Sequence, residues 1–430
     1  MPQIGRVCVP AIVAAYVMCL AVAAWAQSPD VDDPLERRVD EIARQIDAVR
    51  ADASIYAPAF LEAVPLLRIN ALYAAMRAQG GDVVDVAPTG RESPWAGQFR
   101  FRYAKGLEND VTLTVAAEAP HRVVGLWFGP LRPTVDSFGE IVDKLKALPG
   151  QTNFMAAELV GDEPPRVVAS YQPNRPLAIG STFKLYVLAA LQADETPWEQ
   201  VVYLREDNRS LPSGVLQDWP ADTPMTVFGL AGAMISISDN TATDALIHHV
   251  GRDRLAELLP TFGNEHTERS TPFLTTYELF KLRADPALAE RYRAADAAGR
   301  AALLEGEVAD MPRDRVHPPM DRPRDIGQIE WFASAADLVR LVDWLENHGD
   351  ATTQGVMAIN PGLPFGDRFA RVGYKGGSEA GVLNLTWLLE TQSGRVYALT
   401  MGWNDAERVL DDDRLIELAH AAAGLVADAP

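Results

Sequence analysis

The chain has 430 residues, 48% of them hydrophobic and 23% charged, which is the composition of a folded globular protein with room for two or three domains. Its 39 Lys and Arg against 59 Asp and Glu leave a formal charge of −20. That balance argues against nucleic acid or anionic lipid as a partner.

Residues 1–26 read as a secretory signal peptide. Arg6 is the only charge in the first nine residues, an apolar run follows over Ala11–Ala24, and Ala24-Trp25-Ala26 fits an A-x-A cleavage site. The run is too short to span a membrane comfortably. Both cysteines, Cys8 and Cys19, fall inside it, and Met18 is too large for lipoprotein processing at Cys19. The mature chain is then expected to begin near Gln27 without cysteine, which removes disulfides, thiol catalysis and cysteine-ligated metals. No later stretch has about 18 unbroken apolar residues. A monomer in the periplasm or outside the cell is expected.

Asp30–Arg50 carries Leu35, Val39, Ile42, Ile46 and Val49 at helical spacing, and Phe60–Gln79 reads as a second amphipathic helix. The period then changes to two, predicting strands over Asp82–Val86, Gln98–Tyr103, Val111–Ala117 and Arg122–Phe128. Residues 27–130 are thus expected to form a small α+β roll. Pro130-Leu131-Arg132-Pro133 reads as a linker, because two prolines in four residues break both periods.

Within residues 131–430 the pattern predicts a helix over Ser137–Leu148, strands over Thr152–Val160 and Arg166–Tyr171, and a buried helix over Leu177–Leu191. Helices follow over Thr226–Ile237, Ala242–Val250 and Thr276–Leu282. Asp285–Pro323 reads as a helical insertion with an exposed loop. Ser334–His348 is a helix opened by the capping pair Ser334 and Asp337. Val372–Lys375, Val382–Glu390 and Val396–Trp403 are strands, the last two joined at Thr391–Gly394, and Asp412–Ala427 is a closing helix. The fold class is α+β.

The chemistry concentrates in the buried helix. Its polar side chains are Ser181, Thr182, Lys184 and the hydroxyl of Tyr186. Ser181 follows a glycine at the helix start, and Lys184 lies three positions on, along the same face. An ammonium buried there is costly unless it is partnered or neutral. A serine beside such an amine has the makings of a nucleophile and its base, although a helix cap followed by a snorkelling lysine has the same pattern. Two further motifs come later, Ser238-Asp239-Asn240 and Lys375-Gly376-Gly377-Ser378.

Together these three motifs resemble the S-x-x-K, S-D-N and K-T-G set of class A β-lactamases and penicillin-binding proteins, in the same order. The segment Met234–Thr243 is similar to a class A sequence as well, and the likeness extends over about residues 137–427. It implies an antiparallel sheet flanked by helices, with an all-helical subdomain, and an acyl-enzyme mechanism. Ser181 would be the nucleophile, Lys184 its base, Ser238 the proton relay and Lys375 the cation that draws in a substrate carboxylate. Asn240 would offer its amide to the substrate, with Gly376, Gly377 and Ser378 along the binding strand and the N–H groups of Ser181 and Ser378 around the oxyanion. Asp239 would be structural. Residues 27–130 resemble cystatin-like or steroid-isomerase-like rolls, which in that setting cover part of the active-site mouth.

Two departures stand out. Gly376 replaces a hydroxyl residue, and Ser378 is expected to compensate. No Glu-x-x-x-Asn lies between Asn240 and Ser270-Thr271-Pro272, which follow about thirty residues later. Glu265 and Glu268 lie in that short loop without an asparagine partner, so slow release of the acyl group is expected. The partner is a small molecule, a β-lactam or a cell-wall-peptide-like amide or ester. A non-turning-over penicillin or peptidoglycan-peptide binder, a D-alanyl peptidase and a cephalosporin-type esterase remain alternatives. His248-His249 lacks zinc spacing and no nucleotide motif is present, so no metal or cofactor is expected. Arg408 and Arg414 are expected at the surface.

Overall fold

The computed structural model describes residues 33–365 and 368–428. The signal-peptide expectation, with Cys8 and Cys19, lies outside the described residues.

Helix α1 (Pro34–Ala48) buries Leu35, Val39, Ile42 and Ile46 on one face and is capped by the Asp33 carboxylate. The helix predicted over 60–79 is two, α2 (Pro58–Ala63) and α3 (Leu66–Gly80). Pro65 separates them, since it has no N–H to continue a helical ladder. Four antiparallel strands follow in the order β1-β2-β3-β4: β1 (Val83–Ser93), β2 (Ala96–Tyr103), β3 (Leu107–Val115) and β4 (Val123–Phe128). These elements share a core of their own, built on Ile42, Tyr73, Phe101, Val111 and Leu113.

The predicted linker is not a free connection. Its Arg132–Pro133 pair forms a short strand, β5, against Leu107 and Glu108 of β3. The Arg132 guanidinium lies 3.2 Å from the Glu108 carboxylate and 2.9 Å from that of Asp110. A proline is tolerated at such an edge because no ladder donor is needed from it.

The remaining elements are α4 (Phe138–Lys146), β6 (Gln151–Val160), β7 (Glu163–Tyr171), β8 (Leu177–Ala178), α5 (Lys184–Ala193), β9 (Val201–Tyr203), β10 (Pro224–Thr226), α6 (Val227–Ser236) and α7 (Asn240–Val250). They continue through α8 (Arg252–Leu258), α9 (Thr276–Ala284), α10 (Pro286–Ala294), α11 (Ala297–Leu303), β11 (Phe332–Ala333), α12 (Ala335–His348) and α13 (Ala351–Met357). Strands β12 (Phe369–Glu379), β13 (Val382–Thr391) and β14 (Val396–Asn404) and helix α14 (Asp412–Ala427) complete the chain.

The second sheet runs β12-β13-β14-β6-β7, antiparallel throughout, so residues from the two ends of the domain sit side by side. Alternation along its strands makes two cores. Leu385, Trp387, Leu399, Met401 and Phe154 face α4 and α14. Leu388, Ala398, Met155 and Ala157 face α5, α12 and the helical layer. β7 starts at Glu163, so Pro164 and Pro165, expected in a turn, lie on an edge strand where their missing N–H groups cost nothing.

Helix α12 backs the sheet and α5. Its start is a closed capping box, with the Ser334 hydroxyl accepting from the Asp337 N–H at 3.1 Å and the Asp337 carboxylate accepting from the Ser334 N–H at 2.8 Å. Removing such a cap costs about 1 kcal/mol. Ser334→Ala should therefore lower the unfolding free energy by that amount in a denaturant titration, leaving the far-ultraviolet spectrum unchanged.

Candidate functional site

After β8 the chain turns at Gly180, whose φ is +47°, into a short helical turn over Gly180–Phe183 that runs straight into α5. α5 is apolar on every side and buried from Lys184 to Leu191, as a helix at the centre of a domain must be. The turn presses on β12. A Cβ at Gly377 would lie 2.1 Å from the Ile179 carbonyl oxygen and 2.5 Å from the Ser181 nitrogen. One at Gly180 would meet the Gly377 and Ser378 backbone at 3.3–3.4 Å. Two glycines thus let strand and helix start touch, and this contact brings Ser181 alongside Gly377-Ser378. The Ser181 hydroxyl has no hydrogen-bond partner among the described residues.

Lys184 is wholly buried. Its Nζ lies 2.6 Å from the Ser238 carbonyl oxygen, 2.7 Å from Asn240 Oδ1 and 3.0 Å from Ser238 Oγ. Burial first, and then the charge of Lys375, hold the amine well below the ordinary lysine range, with Asp244 and Asp239 pulling the other way. Nζ can donate to all three of these oxygens.

The loop that delivers Ser238 and Asn240 is held from below. Ser238 has φ +57°, a left-handed conformation rare for a residue with a side chain. The next residue, Asp239, caps α7 through the Ala242 N–H at 2.8 Å and accepts from the Val215 and Leu216 N–H groups at 2.7 and 2.9 Å. Its structural role therefore reaches beyond its own loop. Gly214 makes room, because a Cβ there would lie 2.2 Å from Asp239 Oδ2. The Asn240 amide donates to the Leu211 carbonyl at 3.0 Å, which leaves one N–H for a ligand.

Lys375 comes from β12, with Nζ 2.5 Å from the Gly376 carbonyl oxygen, and burial pulls its pKa down to about 7. Two neighbouring buried amines hold one proton more easily than two. Lys184, the more deeply buried, has its pKa pulled down by burial and by the Lys375 charge. Gly376 has its own reason: a Cβ there would lie 2.1 Å from the Tyr374 hydroxyl oxygen. Residues 374 and 376 share a face of the strand, so the tyrosine places an O–H where a side chain at 376 would stand. Ser378 is exposed and its hydroxyl donates to the Asp412 carboxylate at 3.2 Å. The Tyr374 hydroxyl thus stands where a side chain at 376 would be, while the Ser378 hydroxyl is turned to Asp412.

Two adjoining cavities meet at Ser181, Ser213 and Ser378. One, of about 350 Å³, is lined by Ser238, Tyr374, Lys375, Gly376 and Gly377. The other, of about 220 Å³, is lined by Phe183, Asn240, Thr276, Glu330, Trp331 and Glu379. The eight residues singled out in the sequence, Ser181, Lys184, Ser238, Asn240, Lys375, Gly376, Gly377 and Ser378, thus lie in or directly behind one cleft. The Lys375 ammonium makes no hydrogen bond to Ser238 among the described residues.

Other expectations fall outside it. Glu265 is exposed and pairs with Arg340 at 3.2 Å, and Glu268 is exposed; neither lines the cleft. Arg408 and Arg414 are exposed, as expected. No group of three or more metal-ligating side chains is found among the described residues. The N-terminal roll does not cover the mouth: no residue lining either cavity precedes Gly180. Its charged strand edge instead meets α4 and α14, where Glu108, Arg132, Lys144, Arg414 and His420 line a separate cavity of about 270 Å³. Sequence reasoning missed Ser213, whose hydroxyl donates to the Ser238 carbonyl at 2.8 Å, because nothing local marks it. It also missed Tyr374 and the Glu330–Glu379 pair. The alternation Tyr374-Lys375-Gly376 was the one usable signal.

A model of a beta-lactamase enzyme family matches residues 138–316, which span Ser181, Lys184, Ser238 and Asn240 and stop before Lys375. Similar solved structures include PBP-A, at 16% identity and TM-score 0.46 over 68% of this chain and 94% of that one. A β-lactamase from Desulfarculus baarsii is similar at 20% identity and TM-score 0.47, over 69% of this chain and 100% of that one. One from Francisella tularensis is similar at 11% identity and TM-score 0.48, over 68% and 99%. No curated protein matches the chain. No helix of the described residues is long and apolar enough to cross a membrane.

The glycine contact gives a direct test of the site. Gly377→Ala must push the Ser181 backbone away, and a misplacement of about 1 Å costs on the order of 100-fold in reactivity. Labelling of Ser181 by an activated ester, followed by intact-protein mass spectrometry, should slow by that factor while the protein stays folded.

Proposed function

We propose that the protein is a serine hydrolase working through an acyl-enzyme on Ser181, with a β-lactam or a related amide or ester as substrate. The observation that carries this reading is the Lys184 amine, buried, with its pKa pulled down and hydrogen-bonded to the S-D-N loop, one helical turn from a serine hydroxyl that opens on a cleft. A hydroxyl needs a base to become a nucleophile near neutral pH. A lysine is such a base only once burial and a second cation have lowered its pKa.

In this scheme the substrate carbonyl enters between the N–H groups of Ser181 and Ser378, the first of them in the opening turn of a helix, where N–H groups lack intrahelical partners. Ser181 Oγ attacks the carbonyl carbon and its proton passes to Lys184. Ser238, in contact with Lys184, relays that proton to the leaving nitrogen or oxygen. Lys375 faces the departing side of the substrate, and Tyr374 supplies the hydroxyl that Gly376 lacks. Asn240 holds the acyl side through its remaining N–H.

The Ser378–Asp412 contact favours one substrate class over another. A carboxylate seated at Ser378 would meet the Asp412 carboxyl, whose pKa burial already pushes up. A neutral ester or amide meets no such penalty, which supports the esterase reading beside the β-lactam one. We read residues 27–130 as the cystatin-like roll and 131–430 as the catalytic domain, exported by the signal peptide and acting as a monomer outside the cytoplasm.

A chromogenic cephalosporin tests the scheme. The wild-type protein should give a burst matched to its concentration, then slower turnover, with the adduct mass on Ser181. Ser181→Ala should abolish both; activity surviving it would show that the nucleophile is another residue. The burst rate has a defined pH response as well. A protonated Lys184 cannot accept a proton, so acylation should rise with pH as the amine is freed. Because burial and Lys375 lower that pKa, the rise should be complete well below the range near 10.4 where an ordinary lysine titrates. Stopped-flow bursts across pH 5–10 would show a rise delayed to that range if Lys184 were an ordinary lysine.

A further inference from the structure

The second cavity holds a group the acylation scheme does not use. Arg283 on α9 is buried, with one nitrogen 3.1 Å from Glu330 Oε1 and 2.9 Å from the Ile329 carbonyl oxygen, and another paired with Glu379. The other Glu330 oxygen accepts from the Trp331 N–H at 3.0 Å. Glu379 Oε1 is buried without a hydrogen-bond partner. Both carboxyls line the same cavity as Ser181 and Asn240.

Position along β12 brings this group to the serine. Lys375, Gly377 and Glu379 alternate onto one face, and residues two apart in a strand are separated by roughly 6.6 Å. Gly377 touches the Ser181 backbone, so Glu379 stands one such step further along the strand, lining the same cavity as Ser181. A water occupies about 30 Å³ of liquid, a small part of this cavity. Glu265 and Glu268, the carboxyls of the short loop, lie elsewhere.

One guanidinium and two ionised carboxylates would carry a net negative charge around the buried Arg283 and Glu330, which is costly. One proton on the pair makes the trio neutral, and it lets the otherwise unpartnered Glu379 oxygen accept a hydrogen bond. The same sharing is seen wherever two carboxyls cannot both ionise. Burial, and then the Glu379 charge, hold the Glu330 carboxyl well above the ordinary range. Arg322 and Arg324 face Glu379 from its far side, and Asp325 adds a negative charge near Arg283.

We propose that the Glu330–Glu379 carboxyl pair, held by Arg283, activates the water that releases the acyl group from Ser181. This rests on the acyl-enzyme reading above and completes it. The water oxygen bonds to the ester carbonyl carbon while one of its protons passes to the pair. As the bond from that carbon to Ser181 Oγ breaks, the pair returns a proton to Oγ. A carboxylic acid leaves, and the serine hydroxyl and the singly protonated pair are restored.

The test separates the two half-reactions. Each single variant, E330Q and E379Q, leaves Arg283 with one carboxylate, so the charge balance inside the fold is kept. Wild-type protein and both variants are pulsed with a penicillin, freed of excess reagent, and followed by intact-protein mass spectrometry. The expected result is adduct formation at the wild-type rate and adduct decay at least about 100-fold slower in each variant, the usual scale for losing a general base. A folded variant that acylates normally and sheds the acyl group at the wild-type rate overturns the proposal. Wild-type decay should also slow in acid as the pair takes up its second proton. A decay rate flat from pH 4 to 9 overturns it even if a variant does not fold. Failure of the wild-type protein to form any adduct on Ser181 removes the acyl-enzyme reading itself, and this proposal with it.

Discussion

The site is organised around the cost of keeping an amine out of water. A lone buried ammonium is penalised by several kcal/mol, and each buried polar atom left without a partner adds about 1–3 kcal/mol. At Lys184 that cost is met by three oxygens around Nζ, two from Ser238 and one from Asn240, and by a pKa lowered by burial. Those oxygens are available only because Ser238 adopts a left-handed backbone and Asp239 ties the loop to residues 215 and 216. Asp244, one turn further along α7, does the same for α9 by accepting from the Thr276 and Tyr277 N–H groups. The contacts that surround the amine are therefore the ones that let it be buried at all.

A second constraint joins this helical layer to the sheet. The turn at Gly180–Phe183 lies on β12 with no side chain between, so the Ser181 backbone and Gly377 are in direct contact. The sheet order makes this possible, since β6 and the late strands pair directly and the two cores on its faces fix β12 against α5. The N-terminal roll takes no part in this contact. It leans on α4 and α14, on the opposite face of the sheet.

Much of this was legible in the chain. Strands β13 and β14, helix α14, and the α12 cap follow from period and capping residues, because those signals are local. The three motifs were legible for the same reason: each is a few adjacent residues. What sequence reasoning could not reach was non-local. Ser213 acts through the carbonyl of Ser238, and Glu330 meets Glu379 and Arg283 only after the insertion folds back between them. Pro130–Pro133 looked like a break in structure, yet Arg132 finds two carboxylates on β3, and tertiary pairing overrides the local propensity of proline. The single helix over 60–79 failed on a local sign that was present, Pro65.

The Tyr374–Gly376 arrangement bears on how such a site can change over time. With the phenol standing where a side chain at 376 would go, restoring a threonine there by itself produces a steric clash, and shrinking the tyrosine by itself strips the pocket of its hydroxyl. Either single step passes through a poorer intermediate, so the two positions can be exchanged only together. Taken as a linked pair, the two residues put one hydroxyl where a side chain at 376 would otherwise stand.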